Sequence, residues 1–338
     1  MSDSVAPSLS VPSRRGRRGA EVALALALLA LLLAAPFYVG TEFALRIATL
    51  CCLFGTMSLG WNLLGGYANQ ISLGHAVFFA VGAYTTGLLE IDLHVTPWLG
   101  IPAGMGLAVL VGIGIGIPTF RLAGHYFALG TLALLQIGDI LFTYYRQFTG
   151  GTLGLTLPIL GYRPEMFSFK YPIWYFYVAA GMMVGALLAS RLVLRSGLGY
   201  RLRAIKENPL AAQLAGIDLL RTKLTALAIS AAVVAAGGGF YLQFIQFIDP
   251  DSAFSFQTSI NMALFAIIGG VNSWWGPALG AMLLVPLSEY TSLQLTGRLA
   301  PLGPLAYGLL LILVILLRPR GLAEWLLRLW ERLWRSPA

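Results

Sequence analysis

The sequence predicts an all-α fold, a polytopic bundle of about eight to ten transmembrane helices. Of its 338 residues, 58% are hydrophobic and 11% are charged, whereas a soluble domain carries about 25% charged residues. The mean hydropathy is +0.78, and apolar runs of membrane-spanning length recur along the chain. The two cysteines, Cys51 and Cys52, are adjacent inside an apolar run, which indicates buried thiols and no disulfide framework.

Ten segments have the length and composition of membrane spans. They fall near residues 22–40, 44–66, 71–89, 97–119, 125–145, 172–193, 222–247, 257–271, 274–290 and 304–318. The 257–290 pair has two interpretations, two short spans or one re-entrant hairpin, because the stretch IIGGVNSWWGP interrupts it. The basic stretch before 22–40 also suits a signal peptide, but the length of the apolar run favours a retained span.

Basic residues predict that both termini lie in the cytoplasm. With ten alternating crossings, 17 of the 22 Lys and Arg residues fall inside. The five outside are Arg46, Arg146, Arg163, Lys170 and Arg298. The net charge of +8 therefore reflects topology and contact with anionic lipid, not binding to nucleic acid. We expect a basic tail over 1–20, a membrane domain over 21–318 with a cytoplasmic loop at about 195–221, and an amphipathic tail over 319–338.

Motifs for catalysis and metal binding are missing from the sequence. None of the three lysines follows a glycine, so no P-loop can cradle ATP. The three histidines, His75, His94 and His125, are scattered, and no His/Cys cluster has metal-ligand spacing. We expect no catalytic residue, no bound metal and no cofactor, which leaves a transporter or a channel.

The cytoplasmic loop contains a short helix with both ends marked. Asn208 is suited to the N-cap, Pro209 to the first helical position, and Gly216 to the left-handed position after the last turn. The small residues Ala211 and Ala212 lie between them and allow another surface to approach closely. Because a helix of two turns is unstable alone in water, we expect it to dock on its own protein or on a partner.

A polar stretch interrupts the apolar sequence at membrane depth in LGWNLLGGYANQISLGHAVFFAVGAYTTGLL, residues 59–89. Its candidate path-lining residues are Asn62, Asn69, Gln70, Ser72 and His75. Polar or irregular backbone at this depth lines a watery cavity or lies buried in protein, and amides also hold membrane helices together. For the segment as a whole we favour lining or gating of a path; for any single residue we favour contacts between helices.

Two acids lie within the predicted spans, Asp139 and Glu289. Intramembrane carboxylates mark ion pathways by default, and in a secondary carrier they would bind a coupling proton. Gln136 lies three residues before Asp139, and a hydrogen bond between the two would give Asp139 a structural role. We favour that structural role.

Six segments resemble, in order, the LivM-type permeases of branched-chain amino-acid ABC importers. They are GWNLLGGYANQISLGHAVFFAVGAY (60–84), RLAGHYFALGTLA (121–133), TGGTLGL (149–155), GYRLRAIKENPLAAQLAGI (199–217), GGVNSWWGPALGA (269–281) and RPRGL (318–322). The resemblance covers about residues 44–322. The sequence departs from the family at Asn69, where Gly is common, and at Leu210, where the coupling loop of ABC importers has Glu.

The resemblance implies a multi-pass permease subunit of the bacterial inner membrane, without an ATPase site, that imports branched-chain or related hydrophobic amino acids. The implied partners are a second permease in a heterodimer, two ATP-binding cassette subunits and an external solute-binding protein. The residues it assigns to coupling with the ATPase are Arg203, Glu207, Ala211, Ala212 and Gly216. Two alternatives stay open, a urea or short-amide importer permease and a proton-coupled carrier, although a lone carrier needs no docking helix.

The external loops at 146–171 and 248–256 are where we expect the solute-binding protein to dock. Asp249 and Asp251 flank Pro250 in the second loop. These acids either meet a basic rim on the partner, where exposed charges tune the encounter rate, or simply solvate a turn.

Overall fold

The computed structural model describes residues 41–122, 124–158, 161–294 and 321–334, with isolated helical positions between 23 and 34 and between 308 and 316. Its helices are α1 (Glu42–Gly65), α2 (Ala76–Leu93), α3 (Pro97–Thr119), α4 (His125–Tyr144), α5 (Arg146–Thr149), α6 (Ile173–Arg195), α7 (Gly197–Glu207), α8 (Pro209–Leu214), α9 (Leu219–Ile245), α10 (Pro250–Ala253), α11 (Phe256–Gly269), α12 (Gly276–Gln294) and α13 (Leu322–Trp334). Two short strands, β1 (Leu155–Thr156) and β2 (Phe247–Ile248), pair antiparallel. The predicted all-α fold is confirmed.

Seven helical segments in the described part of the chain are long and apolar enough to cross a membrane. They are α1, α2, α3, α4, α6, α9 and the unit formed by α10 and α11. Helix α12, with 19 residues, is also close to spanning length. The predicted spans 22–40 and 304–318 lie largely outside the described residues.

Connections at one end of the bundle meet in what we call the β face. It comprises residues 94–96, 145–158, 161–172 and 246–255. Leu155 of β1 pairs with Ile248 of β2, and the Thr96 hydroxyl donates to the Glu165 carbonyl. These contacts join loops that the alternation of spans places on one side of the bundle, the side that the sequence predicts to be external.

Connections at the other end meet in what we call the coupling-loop face. It comprises residues 66–75, 120–122, 196–218 and 270–275. Lys206 Nζ donates to the carbonyl of Gly66 and to Asn272 Oδ1, which joins three of these loops. Because the turn between α11 and α12 carries Asn272 on this face, the 257–290 pair makes one crossing in each direction and is not a shallow hairpin.

The predicted span 71–89 is wrong at both ends. Helix α2 begins at Ala76 and ends at Leu93, and residues 66–75 between α1 and α2 are not helical. Hydropathy alone does not locate the start of α2, because Ile71 and Leu73 extend the apolar character of the span back into the non-helical residues. We call residues 66–75 the broken segment.

Glycines let α2 and α9 cross in backbone contact next to the broken segment. A Cβ added to Gly82 would lie 2.0 Å from the Ala235 carbonyl oxygen, and one added to Gly238 would lie 2.0 Å from the Phe79 carbonyl oxygen. No side chain fits in these distances, so small residues set the crossing, as is common between membrane helices. The crossing brings the first half of α9 beside the end of the broken segment.

Candidate functional site: the broken segment and the coupling helix

A chain of hydrogen bonds closes the end of the broken segment. His75 Nδ1 lies 2.8 Å from Ser72 Oγ, and His75 Nε2 lies 2.9 Å from Ser230 Oγ on α9. The Ser230 hydroxyl donates its single proton to the Gly60 carbonyl at 2.7 Å, so it must accept from His75. This assigns the proton of a neutral His75 to Nε2 and leaves Nδ1 to accept from Ser72.

Backbone amides at the end of the broken segment and at the start of α2 bond to two further helices. The Leu73 amide donates to Thr131 Oγ1 on α4 at 3.0 Å, and the Ala76 amide donates to Ser259 Oγ on α11 at 2.9 Å. Hydroxyl side chains thus replace helical partners for amides that lie inside the bundle, which removes the cost of burying them unpaired. The broken segment is an ordered structure held by neighbouring helices.

The structure separates the five predicted path residues into two groups. Ser72 and His75 are buried together, and Asn62 is fully buried. Asn69 is exposed and Gln70 is partly exposed, on the coupling-loop face. Neither amide atom of Asn62 makes a hydrogen bond of good geometry among the described residues. The contacts of Ser72 and His75 are those of residues that hold helices together.

The backbone conformation explains why Asn69 can stand where the resembling permeases commonly have Gly. Its φ is +53°, in the left-handed region that glycine adopts freely and that asparagine tolerates better than most other residues. A Gly at the same position satisfies the same geometry. Asn69 therefore preserves the turn that opens the broken segment.

Helix α4 leaves most of its surface uncovered. Only 17% of its most apolar window is buried, against 67% for α1, and Gln136 is exposed midway along it. The suggested hydrogen bond between Gln136 and Asp139 is wrong, since no such bond is present and Asp139 Oδ1 has no partner within the described structure. The hydrogen bond that was expected to give Asp139 a structural role is therefore missing.

A hydrogen-bonded pair of amide side chains lies on α11. Gln257 Nε2 donates to Asn261 Oδ1 at 2.9 Å, with Gln257 exposed and Asn261 partly exposed. Helices α4 and α11 also carry Thr131 and Ser259, which accept from backbone amides at and just after the end of the broken segment. Uncharged polar groups therefore lie on both helices that flank the broken segment.

Glu90 is a buried acid that was not among the predicted functional residues. Its side chain accepts a hydrogen bond of 2.5 Å from Gln243 Nε2, and the two residues are 3% and 4% exposed. The predicted span ended at residue 89, which placed Glu90 in a loop; the true end of α2 at Leu93 places it inside the bundle. A carboxylate directly after an apolar run was the available signal. Glu289, which was predicted together with Asp139 as an acid within the spans, is partly buried.

The capping prediction for the short helix, α8, is confirmed. The Asn208 side chain accepts from the Ala211 amide at 3.0 Å, Pro209 is in the first turn, and Gly216 has a φ of +83°. The helix is only six residues long. We call α8 the coupling helix.

The coupling helix has one face packed on its own chain and one face exposed. Ala212 is 4% exposed and packs against its own chain, whereas Leu210 and Leu214 are 67% and 83% exposed. Ala211 is also exposed. Ala212 therefore seats the helix on the bundle, and the two leucines form the surface open to a partner.

Helix α7 precedes the coupling helix and was not predicted. Its buried face carries Leu202 and Ile205, and its exposed residues include the predicted Arg203 and Glu207. Lys206, in its last turn, is partly buried, and desolvation lowers the pKa of its ammonium from the ordinary lysine value. Lys206 was not among the predicted site residues, because a lysine in a cytoplasmic loop is normally solvated.

The acids of the β face have separate roles. Asp249 and Ser252 form a capping box at the start of α10, which gives Asp249 the structural role that the turn interpretation predicted. Asp251 is exposed in the first turn of α10. Asp251 is therefore the acid available to a partner.

These features define a multi-pass membrane permease, with a broken segment inside the bundle and an exposed coupling helix at one face. The family described as branched-chain amino acid transport system / permease component matches residues 43–318. The chain belongs to this family.

Individual relatives agree with the family. The chain is 30% identical to the high-affinity branched-chain amino acid transport system permease protein LivM of Escherichia coli, over 94% of this chain and 78% of the relative. It is 25% identical to the permease protein LivH of Salmonella typhimurium, over 81% and 92%. It is 24% identical to the nucleoside ABC transporter permease protein NupC of Lactococcus lactis, over 76% and 84%. No solved structure matches the chain.

Proposed function

We propose that this chain is a permease subunit of an ABC importer that passes branched-chain or related hydrophobic amino acids across the bacterial inner membrane. Separate subunits hydrolyse the ATP. The observation that carries the proposal is the coupling helix, which exposes Leu210 and Leu214 at the coupling-loop face.

The coupling helix requires a partner for physical reasons. Two neighbouring leucines lie in solvent on a helix too short to be stable alone. A cytoplasmic subunit with an apolar groove would cover both. Helix-in-groove binding uses apolar anchors spaced by three or four residues, the spacing of Leu210 and Leu214. We assign this groove to the ATP-binding cassette subunits, one for each of two permeases.

A second permease covers α4 in this proposal. The amide of Gln136 lies midway along a mostly uncovered helix, and hydrocarbon tolerates such a group poorly. A partner permease, or a watery path between the two permeases, gives it hydrogen-bonding groups. That the relatives include both a LivM and a LivH protein supports a heterodimer.

The cargo path runs between the two permeases, along α4 and α11 and past the broken segment. The exposed groups there are the amides of Asn69, Gln136 and Gln257. Uncharged amides bind weakly enough to release a solute, as conduction requires. The external solute-binding protein delivers cargo at the β face, where Asp251 is exposed.

The choice of amino acids as cargo rests on the relatives. The LivM relative is named for branched-chain amino acids at 30% identity, and the family description names the same cargo. The urea and short-amide alternative has no such support. The nucleoside permease among the relatives makes a nucleoside the appropriate competing cargo.

Uptake by the assembled complex in liposomes tests the proposal. With ATP inside and the binding protein outside, we expect accumulation of labelled leucine and none of labelled urea or uridine. Replacing Leu210 and Leu214 together with Arg removes the apolar anchors and should abolish uptake and co-purification of the ATPase. The matched pair of Met substitutions keeps both. ATP-independent leucine uptake, or normal uptake by the Arg pair, contradicts the proposal.

A further inference from the structure

We propose that Lys206 is the positioning residue that transmits movement of the coupling helix to the broken segment. This inference rests on the proposed function, because it specifies how ATP hydrolysis acting on α8 reaches the membrane path. Three features of the structure support it: the junction between α7 and α8, the acceptors of Lys206, and the surroundings of Gly66.

The junction between α7 and α8 is a single residue. Asn208 closes α7, since its amide donates to the Ala204 carbonyl at 3.1 Å. It also opens α8, since its side chain accepts from the Ala211 amide. With both helices capped by one residue, no flexible linker separates the coupling helix from Lys206, two residues earlier. A displacement of α8 must therefore move the last turn of α7.

Lys206 contacts two other loops of the coupling-loop face. Its ammonium donates to the Gly66 carbonyl at 2.8 Å and to Asn272 Oδ1 at 2.9 Å. Gly66 caps the C-terminus of α1, where carbonyls lack intrahelical donors and the helix end is partly negative, so a cation is favoured there. No carboxylate forms an ion pair with Lys206 in the described part of the chain, and neutral acceptors can be exchanged as the loops move.

Gly66 is the first residue of the broken segment, and the next residue is held from another direction. The Tyr67 hydroxyl lies 2.9 Å from Ser190 Oγ on the membrane helix α6. Lys206 thus holds Gly66 from the coupling loop, while Tyr67 holds the segment to the bundle. Movement of Lys206 relative to α6 must change the backbone of the broken segment at this point.

The surroundings of Asn62 favour a rearrangement at Gly66. A Cβ added to Gly66 would lie 1.9 Å from Asn62 Oδ1, so this amide packs directly against Gly66. Its polar atoms are buried and make no hydrogen bond of good geometry within the described residues, although the Tyr67 hydroxyl lies near the amide. Native proteins rarely retain such poorly satisfied buried groups without a functional reason. A shift of Gly66 is the local change that would expose the Asn62 amide to new partners.

Thiol labelling within the assembled complex tests the inference without any cargo. Ile71, in the broken segment, is 51% exposed, so Ile71→Cys reports the accessibility of the segment to a water-soluble maleimide. The native Cys51 and Cys52 are buried and give little background. In the parent complex, ATP should change the labelling rate about tenfold, the size of an ordinary coupling between sites.

Lys206→Met keeps the aliphatic stem and removes the ammonium, so the ATP-dependent change in labelling should fall below about twofold. Lys206→Arg should restore most of the change, and Asn272→Ala, which removes one of two acceptors, should reduce it partly. Lys223→Met is the matched control, because Lys223 is partly buried at the same end of the bundle but lies over the Phe120 ring. The Lys223→Met variant should show the same ATP-dependent change in labelling rate as the parent.

Further outcomes of this experiment separate the inference from the proposed function. It is overturned if Lys206→Met retains the parental response, if it loses the ATPase subunits while Lys206→Arg does not rescue the response, or if labelling of the parent is indifferent to ATP. Absence of leucine uptake with an intact labelling response contradicts the proposed cargo alone. A parent chain that binds no ATPase subunit contradicts both proposals.

Discussion

His75 Nε2 lies 2.9 Å from Ser230 Oγ, although 155 residues separate the two in the chain. The Ser230 hydroxyl in turn donates a hydrogen bond to the Gly60 carbonyl. An imidazole and a hydroxyl therefore connect the broken segment to α9 and to α1, and fix the end of the break where α2 begins.

Removal of this imidazole should destabilise the bundle. We expect His75→Ala to lower the free energy of unfolding by about 2–3 kcal/mol, because it leaves Ser72 and Ser230 without their buried partner. The measurement is thermal unfolding of the purified complex in detergent. His125→Ala is the control, since His125 is exposed at the start of α4, and it should have little effect. Equal stability of both variants would show that the hydrogen-bond chain contributes nothing.

Two substitutions at Gly216 separate backbone strain from bulk. A Cβ there meets nothing within 4 Å, so only the φ of +83° matters. Gly216→Val should cost about 1–2 kcal/mol in the local structure and reduce ATPase co-purification, because branched residues are poorly tolerated in the left-handed region. Gly216→Asn should retain most of the co-purification. If Val and Asn behave alike, the turn does not position the coupling helix.

Transport should depend on ATP and not on the proton gradient. An uncoupler added at constant ATP should leave uptake unchanged, and Asp139→Asn should retain transport. Glu90→Gln should be tolerated as well, because the new side chain still offers an oxygen to Gln243. Uptake in liposomes with an ATP-regenerating system is the measurement. Collapse of uptake on adding the uncoupler would restore the proton-coupled carrier.

The exposed side of α4 should be accessible to water in the assembled complex. Gln136→Cys should react with a charged, membrane-impermeant thiol reagent at least about tenfold faster than Leu110→Cys. Leu110 is 67% exposed on α3 with no polar neighbours of this kind, so we expect it to face lipid. Equal, slow labelling at both positions would place the cargo path on another surface.

The two acids of the loop at 248–256, which is predicted to be external, should differ in their effects. Asp251→Lys should slow uptake at limiting binding protein and low salt, with less effect at high salt, since exposed charges are screened. Asp249→Ala should instead cost about 1 kcal/mol through loss of the cap on α10. The dependence of uptake on binding-protein concentration, at two salt concentrations, distinguishes them. An unchanged curve for Asp251→Lys at low salt would remove this acid from the docking surface.

Local features were predictable from the sequence alone. The capping roles of Asn208, Pro209 and Gly216 follow from residues within one short segment, because a helix end is decided by its nearest backbone groups. The membrane class follows in the same way, since each span needs only its own run of apolar side chains. The predicted orientation, with both termini inside, stays a prediction.

Relationships between distant residues required the tertiary structure. Packing seats Ala212 on the bundle and turns Leu210 outward, a choice that helical spacing leaves open. The contact between Lys206 and Gly66 spans 140 residues, and that between Glu90 and Gln243 spans 153. Such contacts depend on how each helix is rotated and on how closely it crosses its neighbours. For α2 and α9, the glycine contacts decide the closeness of the crossing. No local sequence pattern encodes that geometry.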